Sequence, residues 1–184
     1  MERKIILNLA MSVDGYISDE QGGYEWIVGH HDSAQDTINQ FSFEDFMNSC
    51  DVVIMGRKAY EDNGVSHILE HGKKRIVVAS KEARPNEAFV EFVVDPVEMV
   101  RGLKKEKGKN IWLYGGALLI EEFMKADLID EYILGLIPVV LGKGRKLFRS
   151  QYPTVKLHLD EITVKDGVVI SRYSRNSREG KENG

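Results

Sequence analysis

Apolar positions fall along this chain in two rhythms. Short runs of strand length, Ile5 to Met11, Val52 to Met55, Ile76 to Ala79, Phe89 to Val94, Ile111 to Tyr114 and Tyr132 to Val140, alternate with stretches in which apolar residues recur at helical spacing. Phe43 to Met47 precedes the second run and Val97 to Lys107 precedes Ile111. Leu118 to Lys125 sets Leu119, Ile120, Phe123 and Met124 on one face and Glu121, Glu122 and Lys125 on the other. Short β-branched runs joined by helices predict an α/β protein: a mostly parallel central sheet with helices on both faces and right-handed crossovers. The pattern changes near the C-terminus. There Val155 to Leu159 and Val168 to Tyr173 alternate with period two around Asp166-Gly167, which predicts a closing antiparallel hairpin. Residues 1–175 are expected to form a single domain, followed by a polar, unpatterned tail at 176–184.

The junctions between strands and helices carry the first chemistry. Ile111 to Tyr114 runs into Gly115-Gly116 and then a helix from about Ala117. Two residues without Cβ let a ligand approach the main chain, and the first helical turn offers unpaired N–H groups at the positive end of its dipole. An anion suits that place, although Gly-Gly also makes a plain tight turn. The design recurs where Val52 to Met55 ends in Gly56-Arg57-Lys58 ahead of a short helix from Ala59 to about Asp62. Two cations at a helix start oppose the dipole unless an anion compensates them, so this junction too is read as a ligand site. With Ser80, both junctions lie at strand C-termini, where open α/β sheets gather their ligands.

Composition narrows the partners. A chain of 184 residues is long enough to bury roughly 70% of its unfolded surface in one core. At 42% hydrophobic, 29% charged and a formal net charge of −4, it has no basic face for duplex nucleic acid. Lys104, Lys105, Lys107 and Lys109 cluster around Gly108 at a helix end, where cations suit the dipole. Cys50 is the lone cysteine and reads as a packed thiol. The start of the chain carries no signal-peptide pattern and no apolar run is of membrane-spanning length, so a cytoplasmic protein without a membrane partner is expected. His30, His31, Asp32, His67 and His71 are read as loop residues and no metal site is expected.

Several ordered motifs then bear a likeness to a known family. The first strand leads to Ser12-Val13-Asp14-Gly15-Tyr16-Ile17; Met55-Gly56-Arg57-Lys58-Ala59-Tyr60-Glu61, Gly115-Gly116, and Ile137-Pro138-Val139-Val140-Leu141-Gly142-Lys143-Gly144 with Leu147-Phe148 follow in turn. Over about residues 3 to 173 the chain resembles the dihydrofolate-reductase-like family, most closely the branch of the C-terminal reductase domain of the riboflavin-biosynthesis deaminase/reductase. The resemblance implies a three-layer fold with a C-terminal antiparallel hairpin, and an NADPH-dependent reductase whose nicotinamide lies at the strand C-termini. It places Ala10 beside the carboxamide of the nicotinamide and makes Ser12 to Tyr16, with Asp14 and Gly15, a loop closing over the ring. Gly56, Arg57 and Lys58 would hold the pyrophosphate and adenosine side. Ser80 and Lys81 would meet the ribose 2′-phosphate, which favours NADPH over NADH. Gly115, Gly116, Ala117 and Leu118 would hold the pyrophosphate through backbone N–H groups.

The chain departs from the family at Ala59, where Thr is frequent, and around the acid. Dihydrofolate reductases carry a carboxylate on a helix shortly after a Trp; here Trp26 followed by Asp32 echoes that pattern, which makes Asp32 the candidate catalytic acid, while Asp36 or Glu44 could equally face the pocket. Tyr24 and Trp26 are candidates to stack on a flat heterocyclic substrate, or simply pack a long loop. Two function classes follow: an NADPH-dependent reductase of a small heterocycle, resembling 5-amino-6-(5-phosphoribosylamino)uracil reductase, and a non-catalytic nucleotide- or flavin-binding homologue of the same fold. Branch members often pair through sheet edges near the C-terminal hairpin, so a homodimer is expected.

Overall fold

A computed structural model of the chain describes residues 3–149 and 152–175; the tail expected at 176–184 lies outside the described residues. In chain order the elements run β1 (Ile5–Ser12), β2 (Tyr16–Ser18), α1 (Phe43–Asn48), β3 (Cys50–Gly56), α2 (Arg57–Asn63), α3 (Ser66–Leu69), β4 (Arg75–Ala79) and β5 (Val90–Val93). Then come α4 (Pro96–Lys105), β6 (Asn110–Gly115), α5 (Ala117–Lys125), β7 (Glu131–Ile137), β8 (Arg145–Lys146), β9 (Leu157–Lys165) and β10 (Val168–Arg175).

Among the described residues, eight strands form one sheet in the order β5-β4-β3-β6-β1-β7-β10-β9. The six expected apolar runs supply its parallel part, and β10 closes it antiparallel to both β7 and β9. Strand periodicity divides the core in two. Ile5, Leu7, Ile54, Ile111 and Leu113 point to one face, under Val100 and Leu103 of α4 and Ile120 and Phe123 of α5. Ile6, Val53, Met55 and Trp112 point to the other, under Phe46 and Met47 of α1 and Ile68 of α3. Burial on both faces is why the parallel strands read as continuous apolar runs rather than alternating ones. This is the expected α/β layout of helix, sheet and helix layers.

Helix starts fall into two kinds. At α1 the Ser42 side chain accepts the Asp45 N–H, and at α4 Asp95 accepts the Glu98 N–H ahead of Pro96. α2 and α5 begin at Gly56 and Gly116 with no capping side chain and no acidic residue in the first turn. Their first N–H groups are left open, and both starts lie at the C-terminal edge of the parallel sheet.

Boundaries differ from expectation where local chemistry intervenes. The run expected to reach Val140 ends at Ile137, because Pro138 has no N–H to continue the ladder; the chain turns and the Val139 carbonyl accepts the Val13 N–H instead. Phe89 stands outside β5, two-thirds exposed. The glycine-rich stretch Leu141 to Arg145, expected only to connect, feeds β8, which pairs antiparallel with β2 to form a small second sheet beside the loop after β1.

Candidate functional site

The two glycine junctions meet. A Cβ placed on Gly116, whose φ is +92°, would stand 3.3 Å from the Gly56 Cα, and one on Gly56 would stand 3.7 Å from the Gly115 carbonyl oxygen. They open into a single cleft of about 1310 Å³. A typical ligand pocket holds roughly 300–1,000 Å³, so this one has room for a dinucleotide and a second, smaller molecule.

Eleven of the residues singled out in the sequence line that cleft: Ala10, Tyr24, Gly56, Arg57, Lys58, Ser80, Lys81, Gly115, Gly116, Ala117 and Leu118. At the α5 start, the Ile120 N–H makes the first intrahelical bond, to the Gly116 carbonyl, which leaves the N–H groups of the preceding turn free of helical partners. Ser80 is buried, and among the described residues its Oγ has no hydrogen-bond partner. A buried hydroxyl without a partner is costly, on the order of 1–3 kcal/mol, unless a ligand supplies one.

The expectation that Arg57 and Lys58 await an external anion needs correction. Arg57 pairs with Glu61 at 3.2 Å and Lys58 with Asp62 at 2.9 Å, each one helical turn on. Asp62 also accepts from Arg145 at 2.6 Å and so ties α2 to β8. Burial disfavours the Asp62 carboxylate, but the hydrogen bonds from Arg145 and Lys58 outweigh it and hold its pKa below the ordinary 3.8.

Four expected site residues lie off the cleft wall. Asp14 and Gly15 are absent from it. The Asp14 carboxylate takes a hydrogen bond from Ser12 Oγ at 2.6 Å and from the N–H groups of Leu141 and Gly142, so it fastens one loop to another. The Ser12 bond is the largest influence on its pKa, burial opposes it, and the Leu141 and Gly142 amides add to the lowering, bringing the value down to about 2. Trp26 donates its indole N–H to the Gly23 carbonyl and props the loop whose Tyr24 does reach the cleft. Asp32 is exposed and accepts the Ala34 N–H at 2.9 Å, an Asx turn at the surface. Asp36 caps the hairpin turn by accepting the Asp166 N–H, and Glu44 is exposed in the first turn of α1. None of the three carboxylates faces the pocket.

The remaining wall was not foreseen. Asn8, Asn63, His67, Trp112 and Tyr114 line one end. The ring of Tyr114 lies 5.0 Å from that of Trp112 and 5.8 Å from that of His67. Burial raises the Tyr114 pKa, nearby Tyr24 raises it further, and Asn63 beside the hydroxyl draws it back. Among the described residues Asn8 Nδ2 and Asn63 Oδ1 are buried without partners, one a donor and one an acceptor. The available signals were a lone polar residue, Asn8, inside an apolar strand run and an aromatic, Tyr114, at the end of another, just before Gly115. Nothing in the four-residue α3 marked His67, expected among solvated loop residues but half-buried here. Cys50 is a packed thiol as expected, its pKa pushed up to about 11 chiefly by burial.

A parallel sheet closed by an antiparallel strand pair, with its cleft at the strand C-termini, defines a dihydrofolate-reductase-like protein. The family model of the RibD C-terminal domain matches residues 3–66 and 59–170, and the chain belongs to that family. The uncharacterized protein YwjB of Bacillus subtilis (strain 168) is 37% identical over 163 residues, spanning 86% of this chain and 90% of the relative. The crystal structure of a protein of Shewanella sp. PV-4 provisionally assigned to riboflavin biosynthesis superposes with a TM-score of 0.74 at 24% identity, over 96% of this chain and 99% of that one. The diaminohydroxyphosphoribosylaminopyrimidine deaminase/5-amino-6-(5-phosphoribosylamino)uracil reductase of Thermotoga maritima superposes with a TM-score of 0.69 at 16% identity, over 95% of this chain but 57% of that one. At these identities the two structures share the fold. Among the described residues no helix is long and apolar enough to cross a membrane.

Proposed function

We propose that this protein is an NADPH-dependent reductase of a small, flat heterocycle. The observation that carries the reading is the meeting of two uncapped, glycine-opened helix starts across one cleft, with the unpartnered Ser80 Oγ on the same wall.

The residues present fit the cofactor. The free N–H groups at Ala117 and Leu118 suit a pyrophosphate, with Gly115 and Gly116 giving it close access to the main chain. Gly56 and the flanking Arg57 and Lys58 serve the adenosine side, with the side chains of Arg57 and Lys58 held in place by their pairs with Glu61 and Asp62. Ser80 supplies a hydroxyl in want of a partner and Lys81 a cation, the pair that a 2′-phosphate selects and NADH does not. Ala10 borders the nicotinamide. When bound, that group supplies the hydride, and the protein's part is to position, exclude water and manage a proton.

The second molecule belongs at the aromatic end. Tyr24, Trp112 and Tyr114 offer flat apolar surface, and Asn8 Nδ2 with Asn63 Oδ1 offers one donor and one acceptor. A pyrimidine- or pterin-like ring, which carries a carbonyl beside an N–H on its edge, answers both. The uracil derivative named for the Thermotoga maritima reductase is of this kind.

Thermal denaturation with NADPH, NADH and FMN tests the reading. A ligand at 100 times its Kd adds about 2.7 kcal/mol to stability. NADPH is expected to raise Tm more than NADH at equal concentration; no shift with any of the three ends the proposal. NADPH binding without reduced-nicotinamide oxidation against a heterocycle panel would favour a non-catalytic homologue.

A further inference from the structure

Reduction of a substrate C=N bond, such as the open-chain imine form of a ribosylamino group, needs a proton as well as a hydride, and Asp32 does not stand where it could give one. His67 does. Ile68, completely buried in the core, fixes α3 so that the neighbouring His67 faces the cleft beside Tyr114. Among the described residues no hydrogen bond or ion pair engages its ring nitrogens. The other titratable groups at this end are committed or unsuited. Asp62 is held by Lys58 and Arg145, the phenol of Tyr114 is shifted upward, and Tyr24 is a phenol too. On the segment of His67 itself stand Glu70 and His71. Burial lowers the His67 pKa below 6.5; Glu70 raises it and His71 lowers it, with burial prevailing.

We propose that His67 is the catalytic proton donor of the reductase, a role that rests on the functional reading above. A hydride added to the carbon of a substrate C=N bond sends the π pair to nitrogen. That nitrogen forms an N–H bond as the N–H bond of the His67 imidazolium breaks, and water restores the proton to the ring. The balance is one hydride from reduced nicotinamide and one proton from solvent, passed through His67.

Two measurements on the full chain test it. The first is the ¹H–¹³C signal of the His67 Cε1–H, assigned by its loss in His67→Gln, titrated with 6-aminouracil in the presence of NADP⁺. Saturable movement of that signal, with the His71 signal still, supports contact. Quenching of tryptophan emission by 6-aminouracil with the His67 signal unmoved overturns the proposal, as does no binding at millimolar concentration. The second is turnover of 5-amino-6-(5-phosphoribosylamino)uracil under saturating NADPH. The wild-type kcat should rise toward acid pH with a limb below pH 6.5, the side to which burial shifts the His67 imidazole. His67→Gln should lose the limb and at least tenfold in kcat, with KM within about threefold. A limb that persists in His67→Gln refutes the proton role alone. Failure of NADPH to shift Tm refutes the reductase reading independently of where 6-aminouracil binds.

Discussion

The Asp14 carboxylate accepts the main-chain N–H of Gly142 at 2.7 Å across 128 positions of sequence. A second bond, from the Leu141 N–H at 3.0 Å, and a third from Ser12 Oγ make it the rivet between the loop after β1 and the loop before β8. Gly142, with φ at +74°, turns its N–H toward the carboxylate from a backbone shape that glycine adopts without strain. β2 and β8 pair immediately beyond this point, so Tyr16, Arg145 and Lys146 take their places on the cleft wall because the rivet holds.

The rivet has a pH signature. The Asp14 pKa falls from 3.8 to about 2 on folding, so its contribution to stability is complete above the unfolded value and is lost as pH falls through about 2. Between those limits the unfolded chain binds more protons than the folded one, and stability rises with pH. Asp14→Asn should remove that part of the slope: Tm of the wild type should fall more steeply than that of the variant from pH 4 to pH 2. Parallel curves would show that the three hydrogen bonds do no such work.

Gly116→Ala should be damaging for two separate reasons. Its φ of +92° is unfavourable for any residue with a Cβ, and that Cβ would press on the Gly56 backbone at 3.3 Å. A loss of about 1–3 kcal/mol is expected in chemical denaturation, together with weaker NADPH binding. Gly102→Ala, in the middle of α4 with open space around it, should move the other way by about 0.5–1 kcal/mol. If both variants behave alike, close approach of the two junctions is not what demands glycine.

Asp62 serves Lys58 and Arg145 together, which gives a third expectation. Asp62→Asn leaves one cation on α2 and one on β8 without their carboxylate, and should destabilise by about 1–3 kcal/mol, a charged hydrogen bond being worth about that much. Raising salt should narrow the gap to the wild type only slightly, because the Asp62 side chain is largely buried. A gap that closes at high salt would mark the triad as a surface ion pair.

The sheet was legible because strands buried on both faces are apolar along most of their length, as Ile5 to Met11 and Ile111 to Tyr114 are. Glycine junctions were legible because they fall where those runs stop. β2 and β8 were not, since strands of three and two residues carry no period, and their pairing depends on Asp14 reaching Leu141 and Gly142 from far along the chain. Arg57 and Lys58 look like unpaired cations at a helix start, yet Glu61 and Asp62 stand four residues on, the spacing at which a helix brings charges together. A motif likeness points to Asp32 as the acid, but the loop from Asp19 to Gln40 is placed by bonds to the C-terminal hairpin. His30 N–H to the Asp166 carbonyl and Thr37 N–H to the Val164 carbonyl are two of them, and no local pattern announces either.

Ser80 separates fold from function most sharply. Its hydroxyl is buried, without a partner among the described residues, and set at the end of β4, where the Ser80 N–H is already taken by the Val93 carbonyl. A residue kept for stability alone would not leave a hydroxyl stranded, so Ser80→Ala should hold or raise Tm, by at most about 1–3 kcal/mol in stability. The same change removes the donor assigned to the 2′-phosphate. The ratio of NADPH to NADH affinity, measured by titration of each, should fall by about tenfold, the worth of one charge-assisted hydrogen bond, while NADH binding stays where it was. A variant that loses stability with the ratio unchanged would make Ser80 part of the core and take the 2′-phosphate away from this corner of the cleft.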